Sequence, residues 1–129
     1  MRNSASRNHA WVTFAIAAVA GAAIWALSPV LGGHAEPWDA GPLYYHVALV
    51  ASGAITALLA PQRAGVISAL AIYAGVVIGQ LAYEAVVIGA GPLFLLGVAF
   101  LLAYSLEFLA AALVAGAVRR ALSNWWPGA

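Results

Sequence analysis

Four long apolar runs, at 10–28, 43–60, 66–90 and 93–118, constrain this chain more than any other feature. An α-helix rises about 1.5 Å per residue, so about 20 apolar residues cross a hydrocarbon layer about 30 Å thick. Glycine and proline separate the runs. Pro29, Gly32 and Gly33 close the first, Gly41 and Pro42 open the second, Pro61 and Gly65 mark a tight turn, and Gly89, Gly91 and Pro92 divide the last two. Proline lacks an N–H and glycine accepts unusual φ angles, so such positions begin and end helices. The runs lack the period-two alternation of barrel strands, and only helices or closed barrels satisfy their backbone polar groups in lipid. The expected fold is an all-α integral membrane protein. It is a single domain of four transmembrane helices arranged as two antiparallel hairpins, with an outer loop at 29–42 and a cytoplasmic tail at 119–129.

Composition points the same way. Hydrophobic residues make up 65% of the chain and charged ones 7%, against about 45–50% and about 25% in soluble domains. So few charges cannot cover the surface of a short folded chain, which makes the lipid bilayer its expected surrounding. A net charge of +1 argues against a nucleic-acid partner. With no cysteine, disulfides, thiolate metal sites and thiol nucleophiles are excluded together.

Arg2 and Arg7 precede the first run, Arg63 sits between the second and third, and Arg119 and Arg120 follow the fourth. Basic residues concentrate on cytoplasmic segments, so both termini are expected in the cytoplasm, with a bacterial inner (plasma) membrane as the default. Trp11, Trp125 and Trp126 then fall at the inner boundary, and Trp25, Trp38, Tyr44 and Tyr45 near the outer one. An alternative makes the first run a cleaved signal, with Arg2 and Arg7 as its charged start; the run exceeds the roughly 7–15 apolar residues usual there. Ala40-Gly41-Pro42-Leu43-Tyr44 and Ala90-Gly91-Pro92-Leu93-Phe94 match closely. The match fits either a parallel internal repeat or helix-start chemistry used twice.

A carboxylate deep in a bilayer costs about 2.5–3.5 kcal/mol on insertion scales, so Glu84 and Glu107 need a reason to be there. Gln80, Tyr83, Tyr104, His46, Tyr73 and Ser105 are the polar groups able to serve them. Tyr73, Val77, Gln80 and Glu84 share one helix face by spacing. Depth counting puts Glu84 and His46 at a similar level, about 8–9 Å toward the outer surface, where they could meet. It places Gln80, Tyr104 and Glu107 in a deeper layer.

These six residues, Glu84, Glu107, Gln80, His46, Tyr83 and Tyr104, form the expected substrate or ion pathway of a small homo-oligomeric transporter or channel for protons, cations or a small solute. The alternative is a non-catalytic accessory or scaffold subunit of a larger membrane complex, its polar side chains meeting neighbouring subunits. The outer loop carries His34, Glu36 and Asp39 without the spacing of a dedicated metal motif. No metalloprotease, phosphate-loop or nucleophile-elbow motif is present, so neither a cofactor nor enzymatic activity is expected. Gly75 and Gly79 form a G-x-x-x-G, extended by Ala71 and Ala82, that suits close helix packing within one chain or between copies.

Overall fold

The computed structural model describes residues 2–61 and 65–128. Arg63, one of the basic residues used for orientation, lies outside the described residues. Helix α1 spans Arg2–Leu31, α2 Pro42–Leu59, α3 Val66–Tyr83 and α4 Phe94–Trp125. A 3₁₀ turn at Pro37–Asp39 precedes α2, and a π-helical turn at Glu84–Ile88 extends α3. No strand occurs among the described residues. The helices α1, α3 with its π-turn, and α4 are long and apolar enough to cross a membrane; α2 is the short one, with 18 residues, or about 27 Å of rise.

Breakers act where the sequence places them, with instructive shifts. Gly41 takes φ 86° and hands over to Pro42 in the first turn of α2, where the missing N–H costs nothing. The matching Gly91-Pro92 behaves differently: Gly91 has no positive φ, and Pro92 lies in a turn ahead of α4, whose N-cap is Leu93. The shared five-residue pattern therefore does not carry a shared local conformation. Pro29 falls inside α1, which continues to Leu31. The segment expected as a tail after 118 stays helical to Trp125.

Packing pairs helices that are not consecutive. α1 lies most extensively against α3, and α2 against α4. Phe14 meets Gly75, Ala18 meets Gly79 and Trp25 meets Gln80, so α1 and α3 advance in the same direction. His46 with Glu107, Gly53 with Phe108 and Ala57 with Arg119 show the same for α2 and α4. Small residues make the approach possible. A methyl group on Gly21 would lie 2.6 Å from the Val76 carbonyl oxygen, and one on Gly79 would collide with the Ala18 backbone. The G-x-x-x-G stripe is thus consumed by packing within the chain.

Leu49, Val76, Leu101 and Phe108 are fully buried between the helices, while Val19, Leu70, Leu95 and Val114 point outward. Arg119, expected among lipid headgroups, turns inward instead. Its Nη1 donates to the Ala57 and Ala60 carbonyls at 3.0 and 3.1 Å, satisfying the last acceptors of α2, where the helix dipole favours a cation.

Candidate functional site

Four helices contribute to one buried polar layer. Gln80 on α3 is fully buried, and each of its hydrogen-bonding positions is used. Its Oε1 accepts from Trp25 Nε1 on α1 at 3.1 Å and from the Tyr45 hydroxyl on α2 at 2.6 Å. Its Nε2 donates to Ser105 Oγ on α4 at 2.9 Å and to the Val76 carbonyl at 3.3 Å. Such a saturated amide binds helices together, since every alternative partner in an apolar interior is worse. Trp25 and Tyr45, expected at the outer boundary as belt aromatics, belong to this core: both are almost wholly buried. Their N–H and O–H groups donate to the buried Gln80 amide, which outweighs the interfacial preference of the rings.

Glu84 stands one helical turn beyond Gln80, at the start of the π-turn, where the Gly89 N–H donates to the Glu84 carbonyl at 2.8 Å. π-Turns widen a helix locally and recur at functional sites. The Glu84 side chain is 5% exposed, and its Oε2 has no hydrogen-bond partner. It lines an open cleft of about 660 Å³ with Glu36, Asp39 and Trp38 from the connection between α1 and α2 and Phe94, Gly97, Phe100 and Tyr104 from α4. Trp38 is fixed there. Its Nε1 donates to Glu36 Oε2 at 2.7 Å, and its ring meets Trp25 edge-on at 4.9 Å.

The expected meeting of Glu84 with His46 does not occur. α2 packs on α4, and its first turn sits level with the middle of α4, so His46 reaches Glu107, with Nδ1 2.9 and 2.8 Å from the two carboxylate oxygens. This pair is open on its outer side, the side chains 47% and 35% exposed. Tyr104 connects it to the cleft: its ring lies 5.5 Å from that of His46 and 6.3 Å from that of Phe100. Gly97, Phe100, Tyr104 and Glu107 are spaced by three, four and three along α4, a single helix face.

Of the six pathway residues, Glu84 and Tyr104 share the cleft, and His46 and Glu107 form the pair next to it. Gln80 sits behind them in the core, and Tyr83 packs beside Trp25, Val77 and Leu101. Sequence reasoning missed Trp38, Gly97 and Phe100. The spacing along α4 was the available signal for Gly97 and Phe100, whereas the folding of the α1–α2 connection onto α4 had none. Among the described residues no group of three histidines or carboxylates is placed to hold a metal ion. Comparisons with protein-family models, curated proteins and solved structures find no match to this chain.

Proposed function

We propose that this chain is a small membrane transport protein for a cation, crossing the bilayer four times as two antiparallel hairpins with both termini in the cytoplasm of a bacterial cell. The observation that carries this reading is Glu84, a buried carboxyl with an unpartnered oxygen in the wall of an open cleft. An unpaired acid in a low-dielectric setting is costly, and such groups persist in membranes where they bind or relay cations. Tyr104, at the edge of the cleft, lies against His46, and the Glu107 partner of that histidine is about 15 Å from Gly97 along α4 by helix rise. This arrangement supplies one binding station at Glu84 and a second at the hydrogen-bonded His46–Glu107 pair.

Flux into liposomes containing the purified chain tests the reading. Glu84→Gln keeps the shape and removes the charge, and should lower flux at least about tenfold, equivalent to about 1.4 kcal/mol in the rate-limiting step. Glu107→Gln should also lower it. Native rates in both variants would refute the proposal.

The exposure of the His46–Glu107 pair favours a second reading, an accessory subunit of a larger complex. An ion pair facing acyl chains is unfavourable, and a neighbouring polypeptide would relieve it. Purification in mild detergent decides between the two: constant association with a larger assembly, together with flux indifferent to both substitutions, would establish this second role.

A further inference from the structure

The strongest unassigned geometry lies at Gly97. An atom at the Cβ position of that residue would lie 3.4 Å from Glu84 Oε1 and 3.5 and 3.7 Å from Cη2 and Cζ2 of Trp38. A carboxylate and an indole therefore flank the same bare stretch of the α4 backbone, where glycine presents no side chain to the cleft. We propose that the cleft binds an amphiphilic organic monocation, with its quaternary or protonated nitrogen beside Glu84 and Trp38, over the bare backbone at Gly97, and its apolar body along Phe100 and Tyr104. Taken as the transported species, this cation rests on the transport reading above; as a ligand, it stands on the cleft alone.

Three observations select this class. Among the described residues no basic side chain lines the cleft, while Glu36 and Asp39 lie in its wall, so the local charge is negative. Aromatic rings attract cations, most strongly where water is excluded, and Trp38 is held in place by Glu36 and Trp25. The volume of about 660 Å³ suits an organic molecule, since sites for drug-sized ligands run from about 300 to about 1,000 Å³. A bare metal ion would instead need several converging hard ligands, and among the described residues no such group exists.

Titration calorimetry on the detergent-solubilised full chain tests the assignment, with benzyltrimethylammonium as the probe and neopentylbenzene as its uncharged analogue of the same shape. The native chain should bind the cation and discriminate against the neutral analogue. Glu84→Gln should weaken binding about tenfold or more, and Gly97→Ala should weaken it severalfold by adding a methyl to the cleft wall between Glu84 and Trp38. The added methyl of Gly97→Ala meets its neighbours at ordinary contact distances, so this variant carries the test even if Glu84→Gln disturbs folding; unchanged helical circular dichroism checks that. Equal affinity in all three chains, or equal binding of neopentylbenzene, overturns the inference. Binding that depends on Glu84 without flux in liposomes upholds the site and removes the transport reading. Glu84-dependent proton flux with no binding of the probe removes the site and leaves transport standing.

Discussion

Gln80 and Glu84 are one turn apart on the same helix, yet their side chains have opposite fates. The amide at Gln80 has partners on three other helices, whereas the carboxyl at Glu84 is buried beside a cleft with an oxygen left over. Replacing Gln80 by leucine would strand the Tyr45 hydroxyl, the Trp25 N–H and Ser105 in an apolar interior. Each stranded group costs about 1–3 kcal/mol, so Gln80→Leu should lower the detergent-unfolding midpoint markedly. Trp25→Phe removes one donor and should cost less, about 0.6 kcal/mol if typical of membrane hydrogen bonds. Equal stability of Gln80→Leu and the native chain would show that the layer contributes nothing. The sequence marked Glu84 as out of place in lipid and Gln80 as a polar group able to serve it, because a polar group among apolar neighbours is visible by spacing alone. Which of them would be satisfied depended on residues 25 and 45, whose polar edges have no preferred direction until three helices meet.

At the scale of helices, the breakers and apolar runs made the four elements legible, and glycine spacing marked a close approach without saying to what. The structure answers with α1. Gly79→Ala would drive a methyl into the Ala18 backbone, which flexible side chains cannot relieve, so a loss of about 1–3 kcal/mol is expected, or more if the helices separate. Thermal unfolding of this variant in detergent measures it; an unchanged midpoint would mean that α1 and α3 do not approach as described. Arg119→Met keeps the aliphatic stem and removes the guanidinium that closes α2. It should cost about 0.5–1.5 kcal/mol and speed amide exchange selectively in the last turn of α2. Its inward turn was hidden from sequence because a basic residue after an apolar run reads equally well as a headgroup anchor.

Across the whole molecule, the topology hinges on α2, which is shorter than α3 once the π-turn is counted with it. If it crosses, three spans separate the outer loop from the end of α4, which places them on opposite sides of the membrane; if it does not, they share a side. The chain has no cysteine, so single substitutions at exposed Ala35 and Asn124 can be labelled without background. Ala35→Cys should react with an impermeant maleimide from outside intact cells and Asn124→Cys only after permeabilisation. Labelling of both from the same side would refute the four-span topology.

The sequence alone determined that the chain is helical, how many long helices it has and roughly where the breaks between them fall, and that two acids sit in apolar runs, because hydropathy, chain breaks and the cost of unpaired backbone groups are local properties. Only the tertiary structure decided that His46 pairs with Glu107, that Trp25 and Tyr45 serve Gln80, and that Trp38 and Glu84 share a cleft. Those pairings depend on which helix lies beside which. In this chain the closest neighbours, α1 with α3 and α2 with α4, are not consecutive in the sequence, and no local pattern specifies the rotation and depth at which two apolar helices come to rest.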